Sequence, residues 1–188
     1  MGLNKFPDIY TYRCNQESLK PLKEFILSDT FGVSYKSDAD SITKQSWYYD
    51  ARDADNDRRF MSLFYEYYWG GYCNFFRNTL GGKTPKLTTL WYQIYEKGDI
   101  HEWHLHKNTD VANVLYLELE DKSLATQFKV SDTESYTPNV NEGDTILFDA
   151  TYLHRSPVNN TDSTKMIISF NVNALNSLAL QQNERLWS

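Results

Sequence analysis

The sequence predicts a mainly β chain, a sandwich or barrel with an α/β extension at its N-terminus. Three observations lead there. Short apolar or alternating segments follow one another through the second half, each closed by a turn-forming cluster. Aromatic residues make up 15% of the chain, with 14 Tyr, 10 Phe and 5 Trp, which suits strands and a large aromatic interior. The pattern also shifts at Gly81-Gly82-Lys83-Thr84-Pro85, from mixed and partly helical before to strongly β after.

In order along the chain, Asp8 to Arg13 alternates and reads as an opening strand. Asn15 to Ser28 reads as a helix, with Leu19, Leu22, Phe25 and Ile26 on one stripe, Asn15 or Ser18 as its cap, and Pro21 tolerable only in a first turn. Phe31 to Ser46 is turn-rich, and Asp50 to Arg59 is a charged loop. The spacing of Phe60, Phe64 and Tyr68 predicts a second helix, stopped by Gly70-Gly71, and the aromatic block to Phe76 should cover the β part or overhang its mouth. Strands are then expected at Leu87–Glu96, Ile100–His106, Val111–Leu119, Leu124–Val130, Thr145–Asp149 and Lys165–Asn173. The tail from Ala174 to Trp187 has helical spacing at Leu175, Leu178 and Ala179.

At 188 residues and 22.1 kDa the chain suits a single domain, 1–188, with 1–86 as the extension, 87–173 as the β core and 174–188 as the tail. Its apolar runs are far shorter than the ~20 residues a bilayer span requires, and its first residues do not resemble a signal peptide. A net charge of −6 disfavours broad nucleic-acid binding. Cys14 and Cys73 show no paired spacing, so a reducing cytoplasm is the expected compartment. Asp53, Asp55 and Asp57 imitate the start of a calcium loop, but Arg58 stands where the turn glycine belongs, and a solvated loop is the better reading.

Chemistry concentrates in the four histidines. His101, His104 and His106 crowd into Asp99-Ile100-His101-Glu102-Trp103-His104-Leu105-His106, and His154 follows a distant apolar strand. In a regular strand His104 and His106 share a face, and His101 takes the other. With His154 arriving from elsewhere they form a facial set of three that leaves open positions on a metal.

These motifs resemble the 2-oxoglutarate/Fe(II)-dependent oxygenases, in particular the small prolyl-hydroxylase-like type of bacteria and phages. The residues concerned are Tyr95-Glu96-Lys97-Gly98-Asp99, His104 and His106, Val114-Leu115-Tyr116-Leu117, Gly143 to Phe148, His154, and Lys165 to Asn171. The resemblance covers roughly residues 87–173. It implies a double-stranded β-helix (jelly-roll) core, Fe(II) as cofactor, 2-oxoglutarate as cosubstrate, and a cytoplasmic hydroxylase, bacterial or phage-encoded, acting on a small molecule or peptide. His104 and His154 match two of the family's metal ligands. Lys165, eleven residues past His154, matches the cation for the 5-carboxylate of 2-oxoglutarate, with Tyr116 and Tyr95 as tyrosines beside the cosubstrate.

One position departs from the family's pattern. His106 stands where that family has a carboxylate, so the third ligand is His106 itself or a nearby acid, Asp110 first and Glu102 next. The same histidines, with Gly98 and Gly143, also resemble the two cupin motifs, which implies a three-histidine metal enzyme without 2-oxoglutarate. A third reading is a non-catalytic β-sandwich binding module or viral accessory protein. If Lys165 lines the cavity, Ile167, Ser169 and Asn171 share its face, while Met166, Ile168 and Phe170 pack on the other.

Overall fold

The computed structural model of the chain describes residues 9–30, 32–46 and 54–176. Strand β1 (Tyr10–Arg13) leads into helix α1 (Gln16–Ser28), then strands β2 (Val33–Lys36) and β3 (Ser41–Gln45). Helix α2 (Ala54–Phe64), one widened π turn (Tyr65–Trp69) and helix α3 (Gly70–Thr79) run on without a break. The remaining strands are β4 (Thr84–Tyr95), β5 (His101–His104), β6 (Val111–Leu119), β7 (Gln127–Lys129), β8 (Ser135–Tyr136), β9 (Asp144–Asp149), β10 (His154–Ser156) and β11 (Lys165–Leu175).

The strands form two antiparallel sheets. The larger has seven strands in the order β1-β9-β6-β11-β4-β3-β2, and the smaller has four in the order β5-β10-β7-β8. Three strands from the first 86 residues thus extend the large sheet. The segment read as turn-rich holds β2 and β3, strands of only four and five residues, which form through pairing with each other and through that of β3 with β4.

Helix α1 forms as its sequence requires. The Asn15 side chain accepts the Glu17 N–H, and Leu19, Leu22, Phe25 and Ile26 are buried. Pro21, however, is its sixth residue, past the first turn, on a face where the unpaired carbonyl of exposed Glu17 can be solvated. Helix α2 also begins earlier than expected, at Ala54, inside the segment read as a charged loop.

The glycine pair does not stop the second helix. Gly70 has helical backbone at φ −61°, and the chain continues nine residues to Thr79. The stop comes at Gly81 and Gly82, with φ of 61° and 80°, where the Gly82 N–H reaches the Arg77 carbonyl. The pair has a packing role instead. A Cβ on Gly71 would stand 2.3 Å from the Tyr12 hydroxyl, and the Tyr12 ring is held against Tyr68 and Phe75, whereas a Cβ on Gly70 meets nothing. Gly70→Ala is therefore expected to stabilise the protein by about 0.5–1 kcal/mol, read as a higher denaturation midpoint. Gly71→Ala should not give this gain.

Two apolar layers hold the sheets. On the outer face of the large sheet, Phe60, Phe64, Tyr68, Tyr72 and Phe76 are buried together with Met166, Ile168, Phe170 and Val172 of β11. Phe170 lies edge-on to Phe64, Tyr68 and Tyr72, with centroids 5.0–5.8 Å apart. The aromatic block therefore covers the β core, as its density demands. Between the sheets lie Tyr95, Val114, Tyr116, Phe128, Phe148 and Ile167. The alternation along β11 thus sends one set of side chains to the helices and leaves Lys165, Ile167, Ser169 and Asn171 for the interior. Ala174 and Leu175 end β11, and the helix expected beyond them lies outside the described residues, as do the first residues of the chain and Asp53. Among the described residues no helix is long and apolar enough to cross a membrane.

Candidate metal centre

Strand pairing brings the histidines together. In β5 and β10, His104 lies opposite His154 and His101 opposite Ser156. Between those pairs β10 advances two residues and β5 three, so β5 carries a bulge. The extra residue turns His101 onto the same side as His104, contrary to its expected opposite face, and the two rings stack with centroids 3.9 Å apart. His154 is covered by β7, pairing there with Phe128. His106 lies past the end of β5, held by its N–H to the Ala150 carbonyl at 2.9 Å. Its ring stands 5.4 Å from that of His104 and 5.1 Å from that of His154, which are themselves 4.3 Å apart. One ligand nitrogen from each of His104, His106 and His154 lies within 4.8 Å of the others.

The outer nitrogens are fixed by hydrogen bonds. His104 Nδ1 is 2.7 Å from the Glu102 carbonyl and His154 Nδ1 is 2.8 Å from the Tyr152 carbonyl. A carbonyl only accepts, so each Nδ1 carries the proton and each Nε2 keeps a free lone pair. His106 Nδ1 faces the side-chain amide of Asn171 at 3.3 Å, and Asn171 Oδ1 is buried without a partner. A half-turn of that amide gives the orphaned oxygen the His106 Nδ1–H and puts His106 in the same tautomer as the other two. Asn171→Ala should accordingly weaken metal binding roughly tenfold or more, while Asn171→Asp, which keeps an acceptor there, should not. Competition with a chelating dye measures both.

Burial keeps the four imidazoles neutral, the form a metal requires. It pulls His106 down to about 4 and His101 to about 3, with like-charged neighbours adding to the effect, and lowers His104 and His154 as well. The alternative acids lie elsewhere. The Asp110 carboxylate accepts the Ala174 N–H at 2.8 Å, and the Glu102 carboxylate lies by the Trp103 N–H at 3.3 Å. Among the described residues the cluster is made of histidine alone.

Lys165 opens β11 opposite Tyr95 of β4 and Leu119 of β6. It is 1% exposed. Its Nζ donates to the Leu124 carbonyl at 2.9 Å and to Ser156 Oγ at 2.6 Å, and lies 4.7 Å from the Tyr95 ring centre. Among the described residues no carboxylate pairs with it, and burial pulls its pKa down to about 7. Lys165, Ser156, Thr126 and Tyr95 line the same cavity as the histidines, with about 30 Å³ of open space. Tyr116 does not line it. Its hydroxyl donates to Thr126 Oγ1 at 2.9 Å, so it meets the cavity one residue removed. Sequence spacing had no signal for Ser156 and Thr126, because their place depends on β7 and β10, strands too short to show a period.

No protein-family model and no curated protein matches the chain. Solved structures share its fold. An oxidoreductase of the 2OG-Fe(II) oxygenase family from Burkholderia pseudomallei aligns over 90% of this chain and 88% of its own, with a TM-score of 0.69 and 8% identity. The epimerase SnoN, in complex with Fe3+, alpha ketoglutarate and nogalamycin RO, aligns over 89% and 79%, with a TM-score of 0.63 and 14% identity. A prolyl-4-hydroxylase from Pseudomonas putida aligns over 90% and 94%, with a TM-score of 0.58 and 10% identity. The two-sheet architecture is the jelly-roll of these oxygenases.

Proposed function

We propose that the chain is a non-haem Fe(II), 2-oxoglutarate-dependent oxygenase, a hydroxylase of a small-molecule or peptide substrate. The observation that carries this reading is Lys165, a buried ammonium with no carboxylate beside it among the described residues, in the cavity lined by three convergent imidazoles. A buried charge without a counter-charge is costly. Such a group suits an anionic ligand whose other end reaches the metal, and a five-carbon diacid has that form. The neutral donor set, with each outer nitrogen held by an acceptor, suits a divalent first-row metal.

In this reading His104, His106 and His154 would hold iron. Lys165 would exchange Ser156 for the distal carboxylate of 2-oxoglutarate, since the open space beside it is only about 30 Å³. Tyr95 walls that end, and Tyr116 steadies Thr126. Iron with 2-oxoglutarate supplies oxidation by O2 coupled to decarboxylation of the cosubstrate to succinate and CO2. The chain's part is to bind, orient and keep water out. With Cys14 and Cys73 both free thiols, a reducing compartment such as the cytoplasm fits the chain.

The neutral imidazole of His106 favours one second reading, a three-histidine enzyme that works without 2-oxoglutarate. Anaerobic titration with Fe(II), with and without 2-oxoglutarate, separates the two. A visible charge-transfer band that needs both components is the expected result. Iron binding that ignores 2-oxoglutarate supports the second reading, and no metal binding overturns both.

The position of Lys165 also sets a pH dependence. Near pH 7 it is half deprotonated in the free protein, and a bound carboxylate favours the ammonium, so binding takes up a proton. At saturating metal, affinity for 2-oxoglutarate should be level below about pH 6 and fall up to about tenfold per pH unit above 7. A flat profile from pH 6 to 9 would remove Lys165 as the partner.

A further inference from the structure

A second cavity adjoins the first along His101, His104 and His106, with a volume of about 190 Å³. Its wall is the β2–β3 hairpin, with Tyr35, Asp40, Ile42 and Gln45, and Trp91 and Gln93 of β4 complete it beside His101, His104 and His106. Gln45 is 2% exposed, and its Nε2 has no hydrogen-bond partner. It lies directly opposite Gln93, so two amides stand side by side at this end. A buried, unpartnered N–H2 facing a cavity is a donor held for a ligand. At the other end, Asp40 is half-buried and accepts the Glu102 N–H at 2.8 Å, and no cation among the described residues pairs with it. It is the sole carboxylate among the residues lining this cavity.

The two ends are well separated. Asp40 precedes β3 and Gln45 ends it, so their backbones stand roughly 16 Å apart along an extended strand, with side chains reaching inward from both. Tyr35 and Ile42, paired across the hairpin, lie between them. The histidine cluster lies between these ends, with Glu102 bonded to Asp40 and next but one to His104, and with His106 beside Trp91, ring centres 5.8 Å apart.

We infer that this cavity binds an elongated substrate with a cationic nitrogen at one end and an oxygen acceptor at the other, the chemistry of a basic amino acid, free or within a peptide. The cation meets Asp40, the carboxylate or carbonyl oxygen meets Gln45 Nε2, and the methylene chain between them crosses the face of the histidines. A phosphorylated or otherwise anionic substrate would meet Asp40 with like charge. This inference rests on the oxygenase reading above and adds the substrate class to it.

The test is calorimetric titration of the anaerobic protein loaded with Fe(II) and 2-oxoglutarate, using L-arginine, L-lysine, Nα-acetyl-L-arginine amide and L-citrulline. At least one of the cationic compounds should bind saturably. Citrulline, which has the shape of arginine without its charge, should bind roughly tenfold to a hundredfold more weakly. Asp40→Asn keeps an acceptor for the Glu102 N–H and should erase that preference. Gln45→Met, of similar size, should weaken free arginine and citrulline alike. Tighter binding of free arginine identifies a free amino acid, and tighter binding of the blocked form identifies a peptide. Equal affinity for arginine and citrulline overturns the inference, as does no binding of any cationic compound while the charge-transfer band is present. Absence of the band itself brings down the oxygenase reading instead.

Discussion

Replacing His104, His106 or His154 by alanine, one at a time, is expected to cost the protein its metal, with affinity lowered by more than about a hundredfold. Each supplies one of three nitrogens within 4.8 Å of each other, and among the described residues no carboxylate in the cluster stands ready to replace a lost one. His101→Ala is the control. Its ring stacks on His104 and lines the cavity but is outside the set of three, so metal affinity should persist. Asp110→Asn should likewise leave the metal in place, because that carboxylate is engaged with the Ala174 amide. Metal content after dialysis, with folding checked by circular dichroism, reads all five variants. Retention of metal by His106→Ala together with its loss in Asp110→Asn would reverse the assignment of the third ligand.

Replacing Lys165 produces two effects of opposite sign. Lys165→Ala should leave metal binding intact and weaken 2-oxoglutarate binding by about 1.5–3 kcal/mol, the worth of a hydrogen bond to a charged group. Lys165→Arg should retain more affinity than alanine without matching lysine, since a fork and a point charge fill different shapes. Lys165→Met should make the ligand-free protein more stable by up to about 4 kcal/mol, the upper gain when apolar side chains of similar volume replace buried ion pairs. The sign follows from the lowered pKa. Between pH 7 and 10.5 the unfolded chain holds a proton on Lys165 that the folded chain has released. The destabilisation is thus complete at and below pH 7 and fades as pH rises to 10.5. Denaturant melts at pH 6 and pH 9 should show a larger gain from Lys165→Met at pH 6. Equal gains at the two pH values would mean that the ammonium is solvated in the folded protein.

Much of this arrangement was legible in the residues. The alternation from Lys165 to Val172 separates the polar face from the aromatic one, and that separation stands in the fold. The cap and stripe of α1 were equally plain. The failures have a common origin in long-range contact. Gly70-Gly71 reads as a helix stop because local propensity penalises it, but packing against Tyr12 of β1 carries the helix through. His101 reads as facing away because a regular strand has a period of two, and a bulge in β5 is set by its partner β10. The pairing of Gln45 with Gln93 depends on β3 finding β4, which no local pattern announces.

The division of labour along β11 bears on how this protein can change over generations. Substitutions on either face can be tried one at a time. A single inserted or deleted residue within Lys165–Val172 would exchange the faces beyond it, turning Phe170 toward the histidines and Asn171 into the aromatic layer. Length variation in this strand is therefore closed to it. The β2–β3 hairpin occupies the border of the large sheet, paired on one side only, and it forms one wall of the larger cavity. Insertions at its exposed tip, residues 37–39, leave the core residue Ile42 and the Asp40–Glu102 contact behind His104 in place. New specificities in this lineage should arise by remodelling that hairpin, while β11 stays constant in length.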